Sequence, residues 1–171
     1  VLSLESLIGM DWIVHLQSLG WDAAIKILVA AFLGAIVGLE RGSGDRPAGL
    51  RTNMMIAISA CLFTILSIEG FPLQGSAQDT ARVAAQIVSG VGFLGAGALL
   101  RHKGHIRGLT TAATVWLVAA IGMAVGTGAY FIAIFATIVS TASLVLLAPV
   151  SDRLSQRARD DGDATNHTVH E

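Results

Sequence analysis

The fold is decided by residues 108–151, which read GLTTAATVWLVAAIGMAVGTGAYFIAIFATIVSTASLVLLAPVS and contain no Asp, Glu, Lys or Arg. As one helix this segment would measure about 66 Å, roughly twice the 30 Å hydrocarbon core of a bilayer. It must therefore turn back once, and Gly126-Thr127-Gly128 is the expected corner. The segment thus predicts two membrane-spanning helices, at residues 109–125 and 129–150.

The composition of the whole chain agrees with a membrane location. Of its 171 residues, 53% are hydrophobic and 13% are charged, whereas soluble domains carry about 25% charged residues. Three further apolar runs predict spans at residues 23–39, 52–68 and 83–100, and the first of them requires Lys26 to extend its side chain to the interface. We therefore predict an all-α membrane protein, in which residues 21–150 form a bundle of about five transmembrane helices.

The two ends of the chain differ from this central part. In residues 1–20 apolar side chains recur at helical spacing between polar ones, which predicts an amphipathic helix lying at the membrane interface. Residues 151–171 are polar and lack a core-forming pattern, so we expect a disordered polar tail.

The basic residues predict the orientation of the spans. Nine of the eleven fall on one side of the predicted membrane, in the connections after the first and third spans and in the tail: Arg41, Arg46, Arg51, Arg101, Lys103, Arg107, Arg153, Arg157 and Arg159. Because Lys and Arg in short loops favour the cytoplasm, we expect a multi-pass protein with its N-terminus outside and its C-terminus in the cytoplasm.

Small residues predict where helices approach closely. The candidates lie on the first and third helices, where glycine allows two backbones to come together: Gly34, Gly38, Gly90, Gly92, Gly95 and Gly97. Gly90, Gly92 and Gly95 form a GxGxxG pattern, but a dinucleotide fingerprint requires a preceding strand in a βαβ unit. A membrane span excludes that reading.

A polar stripe on the third helix is a candidate functional site. Asp79, Arg82, Gln86 and Ser89 lie within roughly 100° of one another at about 100° per residue. Placing a charged side chain at the centre of the bilayer costs about 2.5 to 3.5 kcal/mol. An Asp–Arg pair three residues apart on a helix stabilises it by only about 0.2 to 0.5 kcal/mol. The stripe therefore predicts an outer polar cleft, although Asp79 as a helix cap and Arg82 at the interface remain an alternative.

Other chemistry is less strongly indicated. Glu40, Arg41 and Arg51 predict a cytoplasmic cluster, while the spacing of His102 and His105 leaves a metal ligand open. We expect no cofactor and no enzymatic activity, since no nucleophile with a nearby base is apparent. The net charge of -1 gives no indication of nucleic-acid binding.

Four stretches resemble the MgtC/SapB family of bacterial inner-membrane proteins: residues 38–41, 48–53, 82–97 and 107–116. The resemblance implies a five-helix domain in the bacterial inner membrane that serves adaptation to low magnesium and virulence, including survival inside macrophages. It also implies action on other integral membrane proteins, with ATP synthase among them. Better-known members carry a C-terminal ACT-like domain, so the sequence resembles a short form without it, and Thr110 stands where a well-known member has Asn.

Two functional classes follow for a protein whose surroundings are the lipid bilayer. One is a regulator that binds other membrane proteins, or a second copy of itself as a homo-oligomer, through small-residue helix faces. The alternative is a small transporter or ion-binding protein for magnesium or another cation, which would use the outer polar stripe.

Overall fold

A computed structural model of the protein describes residues 4–42, 48–70, 80–102 and 105–167. Its elements are five α-helices, a π-helical turn that continues the second helix, and a two-stranded antiparallel hairpin: α1 (Leu4–Arg41), α2 (Leu50–Ile65), the π-turn (Leu66–Gly70), α3 (Thr80–Gly97), β1 (Leu100–His102), β2 (His105–Arg107), α4 (Leu109–Gly126) and α5 (Tyr130–His167).

The prediction of an all-α membrane bundle is confirmed. Within the described residues four segments are long and apolar enough to cross a membrane: Gly20–Arg41, Leu50–Glu69, Leu109–Gly126 and Tyr130–Pro149. Helix α3 is present but is not among them, because Arg82, Gln86 and several glycines dilute its apolar residues. The bundle therefore has one helix that is less suited than the others to face lipid alone.

The helix ends differ from the sequence-based expectations. Helix α1 runs without a break from Leu4, so the expected interfacial segment and the first span belong to one helix. Helix α5 continues to His167, where disorder was expected from the polarity of the tail. Helix formers such as Arg, Gln and Ala follow the last span, and adding residues to an existing helix costs little compared with starting one.

The connection between α3 and α4 forms the hairpin. Leu100 pairs with Arg107 and His102 with His105 in its backbone register, so regular structure replaces the expected end of the third span at residue 100. Gly108 closes the hairpin at φ 95°, where an added Cβ would lie 2.3 Å from the carbonyl oxygen of Ala98. Only glycine fits this close approach.

Helix α4 lies at the centre of the bundle and contacts each of the other four helices. Helix α2 packs between α1 and α4, whereas α3 rests mainly on α4 and touches α2 only slightly. The most deeply buried side chains include Val37, Cys61, Val118, Ile121 and Val125. This arrangement leaves space between α2 and α3.

Candidate functional site: a cleft between α2 and α3

The space between α2 and α3 is a cleft of about 750 Å³, here called the α2–α3 cleft. Its walls are mainly apolar and come from one face of each helix, with Ala48 and Val115 completing them. The α2 wall consists of Thr52, Met55, Ile56, Ser59, Ala60 and Phe63, and the α3 wall consists of Val83, Gln86, Ile87, Gly90, Val91, Leu94, Gly97 and Ala98.

Glycines on α3 keep the cleft wide. A Cβ added at Gly90 or Gly97 would meet no atom within 4 Å. Gly95, by contrast, is buried against α4, where its added Cβ would lie 3.5 Å from the carbonyl oxygen of Ala112. Helix α3 thus rests on α4 through one glycine and exposes two others to the cleft.

The structure separates the residues of the predicted outer polar cleft. Gln86 lines the α2–α3 cleft, together with the hydroxyl residues Thr52 and Ser59 of α2. Arg82 and Ser89 are exposed on α3 but do not line it. Asp79 lies outside the described residues.

The α2 wall was missed by the sequence analysis, which assigned no site residue to that helix beyond Arg51. Ser59 and Phe63 recur with Thr52 and Ile56 at spacings of three and four residues, the signature of one helix face. That signal was available, but nothing in it says that α3 would leave this face uncovered.

The predicted packing glycines also divide into two groups. On α1, an added Cβ at Gly34 would lie 2.8 Å from Ala57 Cβ, and one at Gly38 would lie 2.8 Å from Leu50 Cα. These glycines allow α1 to approach α2 closely. Gly90, Gly92 and Gly97 have open space around an added Cβ, so no described part of the chain packs closely against them.

The predicted cytoplasmic cluster is partly assembled. Arg41 is buried, and its Nε lies 2.5 Å from Oε2 of Glu40. Arg51 is exposed in the first turn of α2 and is not part of this ion pair. Glu40 and Arg41 are the last two residues of α1, and a basic residue at this end also complements the helix dipole.

Asn53 holds the start of α2 in place. Its side chain is completely buried, and its Nδ2 donates to the carbonyl oxygens of Gly49 at 2.9 Å and Ala48 at 3.2 Å. In the sequence, Asn53 stands out only as the last residue of the stretch 48–53 that resembles a known family. Its helix-terminal position was the available signal, because a short amide side chain readily bonds to nearby backbone.

A second ionic cluster lies at the other end of α1. Lys26 Nζ lies 2.5 Å from Oδ2 of Asp22 and 3.3 Å from Oε1 of Glu69 in the π-turn. Lys26 is only 8% exposed, although the Asp22 carboxylate that it pairs with is exposed. The predicted extension of the Lys26 side chain to the interface stays a prediction. The pair with Glu69 connects α1 to the end of α2.

A metal site needs several ligating side chains close together. In the part of the chain that the structure describes, no three His, Cys, Asp or Glu residues come together as a metal site. His102 and His105 are partners in the backbone register of the hairpin. Metal binding by His102 and His105 stays an open prediction.

Comparison with known proteins gives one family. Residues 27–153 match the model of the MgtC family. The chain is 42% identical over 132 residues to Protein MgtC of Salmonella typhimurium (strain LT2), covering 77% of this chain and 55% of that protein. It is 39% identical over 137 residues to YhiD of Escherichia coli (strain K12), a proposed magnesium transporter, covering 78% and 64%.

A Haemophilus influenzae protein without a functional name is 42% identical over 143 residues, covering 78% of this chain and 60% of that protein. The chain therefore spans less than two thirds of the length of each of these relatives. No solved structure matches it.

Proposed function

This chain belongs to the MgtC family, and on that premise we propose that it is a regulatory membrane protein that acts when magnesium is limiting. It binds other membrane proteins through the α2–α3 cleft. The resemblance noted from the sequence extends the proposal to virulence and survival inside macrophages. It also makes ATP synthase the first partner to test, and the bacterial inner membrane the proposed location.

The open α2–α3 cleft is the observation that carries this proposal. Its apolar walls suit a partner that stays within the bilayer, and Gly90 and Gly97 offer it a surface without side chains. Transmembrane helices associate through such small residues because their backbones can approach closely and gain van der Waals contact. One helix of a partner protein would therefore match the cleft in polarity, and the glycines would let its backbone come close.

Gln86 gives this surface a specific contact. Its amide is exposed in a mostly apolar cleft, and interhelical hydrogen bonds from such groups stabilise membrane helix pairs by about 0.6 to 2 kcal/mol. A partner helix with a matching polar group would be favoured over one without it. A second copy of the chain is another partner that the same experiment detects.

Photocrosslinking in living cells tests the proposal directly. A photoreactive amino acid at Ser59, on the α2 wall, should crosslink a specific membrane protein in magnesium-limited cells. Gly90→Leu should abolish that crosslink, because Gly90 lines the cleft and its added Cβ meets no atom within 4 Å, so the larger side chain occupies the space of the partner. Gly92→Leu is the matched control, since Gly92 is equally open but lies outside the cleft.

The same variants give a functional readout. Gly90→Leu should lose support of growth at low magnesium, and Gly92→Leu should keep it, with both normalised to membrane-inserted protein. ATP-driven proton pumping in inverted vesicles would identify an effect on ATP synthase. Equal activity per molecule in the two variants would refute a regulatory cleft.

A transporter is the second candidate, because Gln86, Ser59 and Thr52 provide oxygen and nitrogen groups along the cleft and one relative is a proposed magnesium transporter. Purified protein in liposomes should then carry magnesium or another cation at a rate that Gln86→Leu lowers. No flux above protein-free liposomes would reject this candidate and leave the regulator.

A further inference from the structure

The α2–α3 cleft must be filled even when no protein partner is present. At about 750 Å³ it has room for roughly 25 water-sized groups. Its walls are apolar over most of their area, so water would find few polar partners there. The filler in a bilayer must therefore be largely hydrocarbon.

We propose that one acyl chain of a glycerophospholipid occupies the α2–α3 cleft and that Arg82 binds the phosphate of the same lipid. The site needs no protein partner, so it stands independently of the regulatory function proposed above. A partner helix would have to displace the lipid, because both occupy the same volume.

The length of the cleft suits an extended chain. Its α3 wall runs from Val83 to Ala98, a helical rise of about 22 Å. One leaflet of the hydrocarbon core is about 15 Å thick. An acyl chain that enters at the Val83 end therefore stays against protein beyond the middle of the bilayer.

The charge at that end indicates a phosphate. Arg82 is exposed beside Val83 and lies about 6 Å along the helix axis from Gln86, which lines the cleft. A guanidinium matches phosphate oxygens with two parallel hydrogen bonds.

Gln86 connects the two parts of this site. It lines the cleft about one helical turn beyond Arg82, ahead of most of the apolar wall. Its amide can donate to an ester carbonyl, whereas a hydrocarbon chain alone gives it no partner. The order of cation, amide and apolar wall along α3 thus follows the order of groups in a phospholipid.

Lipid retention by the purified chain tests this site. Native mass spectrometry after delipidation and addition of phosphatidylglycerol should show one lipid bound per chain. Gly90→Leu and Gly97→Leu should each lose it, because both side chains enter the cleft. Gly92→Leu should retain it, and circular dichroism verifies that each variant keeps its helices.

The phosphate contact has its own comparison. Arg82→Gln should weaken phosphatidylglycerol binding by about fivefold, the effect of roughly 1 kcal/mol for one basic residue near a membrane surface. Binding of diacylglycerol, which lacks the phosphate, should not change. Phosphatidylethanolamine should follow phosphatidylglycerol if the phosphate alone is recognised.

Three results would overturn the proposal. Equal lipid retention by the wild type, Gly90→Leu and Gly97→Leu would exclude the cleft as the site. Equal phosphatidylglycerol affinity in Arg82→Gln would remove the phosphate contact. A partner protein crosslinked at Ser59 by a chain that retains no lipid would make the cleft a protein site alone.

Discussion

The glycines of α4 and those of α3 differ in the space around them, which an added Cβ atom reveals. At Gly122 of α4 an added Cβ would lie 2.3 Å from the carbonyl oxygen of Ala57, and at Gly126 it would lie 2.7 Å from Thr64 Cβ. At Gly90 and Gly92 of α3 it would touch nothing within 4 Å. The first group fixes the distance between helices, and the second leaves a surface for something else.

We expect Gly122→Ala to destabilise the bundle by about 1 to 3 kcal/mol, because a backbone carbonyl must move to make room for the methyl group. Gly92→Ala should not destabilise it. Cys61 is the one cysteine in the sequence and is completely buried, so its reaction with a maleimide on heating measures unfolding in detergent. Identical melting curves for the two variants would mean that α2 and α4 are not packed this closely.

A second residue-scale prediction concerns Gln86. Gln86→Leu should abolish low-magnesium growth support while the protein remains folded, because leucine fits an apolar cleft but cannot make the hydrogen bonds of the amide. Growth is compared with the amount of membrane-inserted protein. If activity per molecule stays complete, Gln86 has no functional contact in the cleft.

Between elements, the ion pair of Lys26 with Glu69 connects α1 to the π-turn that ends α2. Such turns interrupt regular helix hydrogen bonding and need support from their surroundings. Lys26 is buried, and Asp22 on its own helix supplies a second carboxylate. The cluster therefore fixes the end of α2 with a charge that would be costly to leave alone.

We expect Glu69→Gln to destabilise the wild type by about 1 kcal/mol, less than the loss of a fully buried pair because Asp22 remains. In a Lys26→Met background the same change should have a smaller effect. The maleimide assay on the four proteins gives the coupling energy. Additive effects would show that the two side chains do not interact in the membrane.

The helices of the bundle could be predicted from the sequence, but the α2–α3 cleft and the hairpin could not. Uncharged runs predicted five spans, of which four correspond to segments long and apolar enough to cross a membrane, in α1, α2, α4 and α5. The corner at residues 126–128 coincides with the end of α4 and with Gly128 at φ 81°. The cleft was not predictable, because Gln86 and Ser59 meet across it only through the way α3 rests on α4. Neither was the hairpin, since Arg101 and His105 give no strand-like alternation.

For the molecule as a whole, orientation remains a prediction from charge. In the predicted topology, the basic connections Arg41–Arg51 and Arg101–Arg107 follow the first and third spans and lie on one side of the membrane. A reporter fused after Glu171 should accordingly be active only in the cytoplasm. Reporter activity in the periplasm would contradict this orientation and would place Arg82 at the cytoplasmic leaflet.

The central place of α4 has a consequence for how the chain is made. Helix α3 leaves the ribosome before α4, yet α4 is its main packing surface, and α3 is not among the four described segments that are long and apolar enough to cross a membrane. We expect α3 to wait beside the insertion machinery until α4 arrives. A chain that stops after residue 107 should then leave a cysteine introduced at Ser89 open to water-soluble alkylation, and co-expressed residues 108–171 should protect it. Protection in the truncated chain would show that α3 settles in the bilayer unaided.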